Sequence, residues 1–262
     1  MRVRPFRPEV ATQILRQQIK GLPGTVGIVV TDLISGQTAS VNPMATFHGA
    51  STLKVPIAMA VLQLVDQGRL SLQQPIRYQE SDFERGTGTL QATIKPGDQL
   101  TVERLLDLMI TVSDNIARNM LERFIGSGTI REYMLSLGVS PPYDPVERTV
   151  TPHGMNQVLL ALDSGRSGLS RESTLRLLHW MEQTVHRNRI PRFLPSEVVV
   201  ANKIGTVPNQ VHDIGLVYAP DRSFAISVFT RGIPEEQAEE AIGRIAAAIY
   251  WYEDSLAAPD QQ

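Results

Sequence analysis

The segment from Leu53 to Val65 limits the possible folds more than any other. Leu53, Val55, Ile57, Ala58, Met59, Ala60, Val61, Leu62, Leu64 and Val65 wrap every face of a helix, so this helix has no side to show to water and must be buried. Yet Lys54 stands in its first turn, three residues after Ser51. Burying an ammonium costs several kcal/mol unless it is paired or neutral. The amine needs a purpose.

Bulk properties narrow the search. At 262 residues the chain suits one large domain or two interleaved ones, and 42% hydrophobic with 20% charged residues is ordinary for a globular protein with a sizeable core. A net charge of −2 gives no electrostatic case for nucleic acid or an anionic membrane. The absence of cysteine removes disulfides, thiolate nucleophiles and Cys-ligated zinc. Lysine is scarce: Lys20, Lys54, Lys95 and Lys203 stand against 21 arginines. Two of the four occupy contexts where a deprotonatable amine matters, and arginine cannot lose its proton at any useful pH.

Along the chain, Pro8–Lys20 reads as an amphipathic helix with Val10, Ile14 and Ile19 on its apolar side. Gly24–Leu33 reads as a strand, Ile34–Gln37 as a turn and Thr38–Val41 as its hairpin partner, followed by the buried helix from Ser51. Leu70–Leu100 is polar and irregular, and Thr101 opens a helix to about Val112 with Glu103 behind it as a capping pattern. Three more helices fit between Asn115 and Leu162, and another spans Glu172–Gln183. Val198–Ile204, Ile214–Tyr218 and Phe224–Thr230 are strand-like, and Glu235–Glu253 is a closing helix. The expected class is α+β, an α/β sandwich. A five-stranded antiparallel sheet comes from both chain ends (residues 1–50 and 190–262) with the terminal helices packed on it. Residues 51–189 form an all-helical lobe, with the active site at the junction, the whole being one compact unit.

Three short motifs then occur in order: S-T-L-K at 51–54, S-D-N at 113–115 and K-I-G at 203–205. Their chemistry is coherent. A serine at a helix start has an unpartnered backbone N–H aimed at any developing negative charge, and its hydroxyl becomes a nucleophile once a base takes the proton. Lys54 at i+3 shares that helix face. Burial, and a second cation in Lys203, should depress its pKa until the neutral amine accepts the Ser51 proton. Ser113 suits a proton relay to a leaving nitrogen, and Asn115 can bond both Lys54 and a substrate amide. Lys203 would hold Ser113 and a substrate carboxylate. The N–H groups of Ser51 and Thr206 would form an oxyanion hole.

The order S-x-x-K, S-D-N, K-[TS]-G resembles the penicillin-recognising serine enzymes, the class A β-lactamases and the penicillin-binding D-alanyl-D-alanine peptidases. The resemblance covers nearly the whole chain, from G-T-V-G-I-V-V-T-D-L-I-S-G-Q-T to D-I-G-L-V-Y-A-P-D-R-S-F-A-I-S-V-F-T. It implies a β-lactamase/transpeptidase-like fold. In it Ser51 is the acylated nucleophile, Lys54 a base, Ser113 the relay and Asn115 a substrate ligand, while Lys203 and Gly205 lie on the strand lining the cleft. No cofactor or metal is implied.

Two departures carry weight. The class A enzymes place E-x-x-L-N in an omega loop, whose glutamate activates the deacylating water. Here Val139 reaches Thr151 through S-P-P-Y-D-P-V-E-R-T-V, too short for that loop, with Asp144 and Glu147 its only acids. Ile204 replaces the hydroxyl residue that binds the substrate carboxylate, and Thr206 is the candidate substitute. The expectation is a hydrolase that attacks a β-lactam or related amide or ester through a Ser51 acyl-enzyme and deacylates slowly. The alternatives are a D-alanyl-D-alanine carboxypeptidase or esterase of the same mechanism, and a receptor that traps one acyl group.

Other features read as structural. Asp114 suits a helix cap, and Trp180 and Trp251 suit packing. The five histidines lack metal-ligand spacing, H-E-x-x-H and G-x-S-x-G are absent, and Gly86-x-Gly88 reads as a flexible loop at the cleft rim. Pro56, lacking an N–H, marks a local distortion at the helix start. No signal peptide or membrane segment is read in the basic M-R-V-R-P-F-R-P start or after it. The expected partner is a small molecule and the expected state a monomer. The compartment is cytoplasmic if the chain is complete, and periplasmic or extracellular if an export segment has been removed.

Overall fold

The computed structural model describes residues 5–220 and 222–257; the first four residues of the basic start lie outside that range. In chain order come α1 (Pro8–Gln18), β1 (Thr25–Asp32), β2 (Thr38–Val41), β3 (Phe47–His48), α2 (Lys54–Asp66), β4 (Pro75–Arg77), α3 (Leu90–Thr93), β5 (Gln99–Thr101) and α4 (Val102–Thr111). They continue with α5 (Asn115–Ile125), α6 (Ser127–Ser136), β6 (Thr149–Val150), α7 (Pro152–Asp163), α8 (Arg171–Glu182), β7 (Val199–Val207), β8 (Gln210–Tyr218), β9 (Ser223–Arg231) and α9 (Glu235–Ala257).

Strands from both chain ends make one five-stranded antiparallel sheet in the order β2-β1-β9-β8-β7. It is apolar on both faces. Val26, Ile28, Phe224 and Val228 share a core with Leu15 of α1 and Ile242 and Ile249 of α9. Ile214, Leu216 and Phe229 join a second core built mainly from α2, α4, α5 and α7. The apolar helix α2 is buried as its composition requires. On α1 the buried stripe is Ala11 and Leu15, and Val10, Ile14 and Ile19 flank it half-buried.

Several boundaries differ from the sequence reading. β7 does not stop at Ile204 but continues to Val207 and returns through Pro208-Asn209 into β8, which starts at Gln210 rather than Ile214. Proline sets the first turn position, and Asn209 accepts the left-handed φ of 66° at the second. Polar Gln210, His212 and Asp213 hid the strand. Both ring nitrogens of His212 are nonetheless bonded within the fold, to the His48 carbonyl and the Thr230 N–H, and Asp213 accepts from Ile190 N–H and Asn202 Nδ2.

The segment read as irregular contains the β4–β5 ladder and α3. Trp180 is buried as expected, but Trp251 is 56% exposed on α9 and does not pack into the core.

Candidate active site

Ser51 does not open an α-helix. It lies in a 3₁₀ turn, Ala50–Leu53, with α2 beginning at Lys54, and Ala50 before it holds a left-handed φ of 48°. Residues three apart eclipse in a 3₁₀ turn, so Ser51 and Lys54 still start from one face. The turn is clamped from two sides: Gly49 N–H donates to the Arg148 carbonyl at 2.7 Å, and Ala50 N–H to His48 Nδ1 at 3.0 Å. The distortion expected at Pro56 is this switch of helix type one turn earlier.

Lys54 is fully buried. Its Nζ donates to the Ser113 carbonyl at 2.6 Å, Asn115 Oδ1 at 2.8 Å and Ser113 Oγ at 3.1 Å. The expected bond to Ser51 is absent, because these three oxygens already occupy the three N–H positions of an ammonium. Burial, chiefly, holds the Lys54 pKa well below its usual value; Lys203 and Arg118 push it the same way, against Asp114 and Glu84.

Ser113 occupies the break between α4 and α5 with a left-handed φ of 57°. That conformation is rare for a residue with a Cβ, and its neighbours impose it. Asp114 caps α5 by accepting from Ala117 N–H at 2.9 Å, and its other oxygen accepts from Thr89 and Leu90 N–H at 2.7 and 2.8 Å. The Gly86–Gly88 loop is therefore pinned at the rim, not free. Thr87 Oγ1 donates to the Ser113 carbonyl at 2.6 Å, and a Cβ on Gly88 would sit 2.2 Å from Asp114 Oδ2.

The third motif arrives on β7, an edge strand. Lys203 is buried, and its pKa is lowered to about 7 by burial, opposed by Asp213 and assisted by Arg189. Its Nζ bonds the Ile204 carbonyl at 3.4 Å. Lys203 is expected to hold Ser113 electrostatically, and no hydrogen bond joins the two: the Ser113 carbonyl accepts from Lys54 and Thr87, and its Oγ from Lys54. Gly205 lets β7 close on the serine turn: a Cβ there would lie 3.1 Å from both Ala50 Cβ and Thr52 Cγ2. Ile204 and Thr206 line the cleft with Ser51, Ser113 and Asn115, while Lys203 lies behind it.

Sequence reasoning missed three residues. Buried Arg189 donates to the Gly205 and His212 carbonyls and, at 2.6 Å, to Thr206 Oγ1, so the Thr206 hydroxyl is held from behind by a cation. Arg118 is buried in the first turn of α5 and pairs with Glu84. Among the described residues Glu84 is the sole carboxylate lining the cleft; Asp144 is half-buried, Glu147 is exposed, and neither lines it. The signal for Arg118 was its place beside S-D-N on the buried side of an amphipathic helix; Arg189 and Glu84 had none.

Among the described residues no cluster of metal-ligating side chains occurs, and no helix is long and apolar enough to cross a membrane. The family model described as Beta-lactamase enzyme family matches residues 10–252. This chain belongs to that family. The extended-spectrum β-lactamase PER-1 of Pseudomonas aeruginosa is 27% identical over 95% of this chain and 90% of its own length. A β-lactamase of Sphaerobacter thermophilus superposes with a TM-score of 0.87 at 28% identity, covering 97% of this chain and all, 100%, of that one. PBP-A, solved as a mutant acyl-enzyme complex with penicillin G, superposes with a TM-score of 0.89 at 28% identity over 96% of this chain and 99% of that one. With the family come its fold and its class: a hydrolase of the class A β-lactamase type.

Proposed function

We propose that this family member attacks a β-lactam, or a related amide or ester, through an acyl-enzyme on Ser51. One observation carries the reading: a buried amine in the floor of the Ser51 cleft, bonded to Ser113 and Asn115 and depressed in pKa by burial and a second lysine. Protonated, Lys54 matches its three oxygens. Without one proton, Ser113 Oγ–H can turn to donate to Nζ, and the site becomes a relay. Lys54 then takes the Ser51 proton as Ser51 Oγ bonds the carbonyl carbon. The proton passes through Ser113 to the leaving nitrogen as the C–N bond breaks, leaving an ester on Ser51.

Backbone geometry supports an oxyanion hole. The two-residue turn makes Val207 and Gln210 the closing pair of the hairpin, and alternation along the ladder leaves the N–H of Thr206 facing the open edge. With the Ser51 N–H it would cradle the developing oxyanion. Asn115 would hold the substrate amide, with Gly205 giving it room. Thr206, backed by Arg189 and Lys203, would hold the carboxylate beside apolar Ile204.

Deacylation should be slow for penicillins. The Asp144–Arg148 turn closes on itself, with Asp144 accepting from Val146 and Glu147 N–H, and offers no acid to a water at the ester. Losing a positioned base lowers such a rate by about 10²–10⁴-fold. The same machinery would serve a D-alanyl-D-alanine carboxypeptidase or esterase, or a receptor that keeps its acyl group.

Incubation with a fluorescent penicillin, followed by intact mass and with D-Ala-D-Ala and ester substrates in parallel, separates these readings. We expect a Ser51 adduct, absent in Ser51→Ala, that decays slowly. Fast turnover of nitrocefin lost in Ser51→Ala would overturn slow deacylation. A permanent adduct without turnover of anything would make the protein a receptor.

A further inference from the structure

The chain carries a net charge of −2, yet the cleft at Ser51 is positive. Among the described residues Arg85, Arg118 and Arg148 line it against the single acid Glu84. That acid is already engaged: Glu84 Oε2 accepts from Arg118 Nη2 and, at 3.0 Å, from Asn119 Nδ2. Arg118 and Glu84 cancel, and the surplus falls on Arg85 and Arg148.

Of the two, only Arg148 has a carboxylate partner, and that partner does not line the cleft. Arg85 forms no ion pair among the described residues. The carboxylate nearest Arg148 is Glu122, at 3.7 Å, and it also accepts from Tyr143 Oη at 2.7 Å. Both arginines are rooted beside the chemistry. Asn115 Nδ2 donates to the Arg85 carbonyl at 3.3 Å, and the Arg148 carbonyl holds Gly49, two residues before Ser51. Neither belongs to β7, where the leaving-side carboxylate would bind.

We propose that Arg85 and Arg148 form a second anion site, which selects acyl donors carrying a negative charge on the acyl side. The inference rests on the Ser51 acyl-enzyme reading and narrows its substrate class to acyl groups with a carboxylate or similar anion near the scissile bond. One guanidinium without an ion pair, and a second whose carboxylate partner lies outside the cleft, draw an anion more strongly in a cleft walled by protein than the same groups on an open surface.

Benzylpenicillin and carbenicillin differ by one carboxylate on the acyl side chain and share the ring carboxylate. Second-order acylation of the full chain, followed by intact mass, should favour carbenicillin by about fivefold or more at low ionic strength, and the ratio should shrink in about 0.5 M salt. R85Q and R148Q should each lower the carbenicillin-to-benzylpenicillin ratio roughly threefold or more, with R85K restoring it.

A ratio at or below one, or one unmoved by salt and by R85Q, overturns the second site while leaving the Ser51 chemistry intact. If neither penicillin labels Ser51, the acyl-enzyme reading fails instead. Calorimetric binding of both compounds to the Ser51→Ala protein then decides the site by itself: tighter carbenicillin supports it, and equal, reversed or undetectable binding overturns it.

Discussion

Lys54 Nζ lies 2.8 Å from Asn115 Oδ1 and 3.1 Å from Ser113 Oγ, so the S-x-x-K amine is wired to the S-D-N turn rather than to its own serine. A resting bond to Ser51 is not needed for proton transfer, because such contacts tighten when substrate closes the site. Lys54→Arg tests the role. A guanidinium keeps the positive charge but cannot give up its proton at useful pH, so acylation should fall by roughly 10²–10⁴-fold while the fold persists. Stopped-flow acylation beside circular dichroism checks both halves; near-normal labelling would remove Lys54 as the base.

The two lysines should shape the pH profile in opposite senses. In the proposed mechanism acylation needs Lys54 neutral, and its pKa lies well below the usual value, so kcat/KM should climb with pH through that depressed value. The proposed binding of a substrate carboxylate needs Lys203 charged, and its pKa is lowered to about 7. Above that pH the charge goes and kcat/KM should fall, giving a bell. Lys203→Arg keeps its charge at every pH measured and should erase the alkaline fall. An alkaline limb unchanged in that variant would place its origin elsewhere.

Much of this site was legible because its chemistry comes in short contiguous words. S-T-L-K, S-D-N and K-I-G fix residue types and local conformation together, and an amine in a wholly apolar helix announces burial without any structure. The sheet was legible from β-branched runs at both chain ends, except where Gln210, His212 and Asp213 interrupt the pattern; their hydrogen bonds are tertiary, so composition could not show them as strand. Arg189, Arg118 and Glu84 were hidden for the same reason. Each acts through partners 16 to 50 residues away, as with Arg118 to Glu84 at a separation of 34.

Asp114 is a structural keystone of the S-D-N turn. Its buried carboxylate accepts three backbone N–H bonds: one caps α5, and two hold the start of α3. Asp114→Ala removes a cap of about 1 kcal/mol and strands two N–H groups at about 1–3 kcal/mol each, less what water recovers. A loss of about 3 kcal/mol in urea unfolding is expected, with faster amide exchange at Thr89 and Leu90. A change under about 0.5 kcal/mol, the usual range for surface substitutions, would refute the assignment.

Glu253, on α9 at the far side of the sheet, should make stability pH-dependent. It is buried, and its pKa is raised to about 8 by burial first and by Asp32 next, against Arg222. The unfolded chain ionises this group near 4.5, so between that pH and about 8 the unfolded state binds fewer protons than the folded one. By linkage, stability then declines as pH rises through this window and levels off above it. Glu253→Gln removes the titration and should gain on the wild type by a few kcal/mol between pH 5 and pH 8. Urea melts of both proteins at the two pH values read the difference directly. A gap between them that stays constant from pH 5 to pH 8 would show that Glu253 ionises in the folded protein as it does in the unfolded chain.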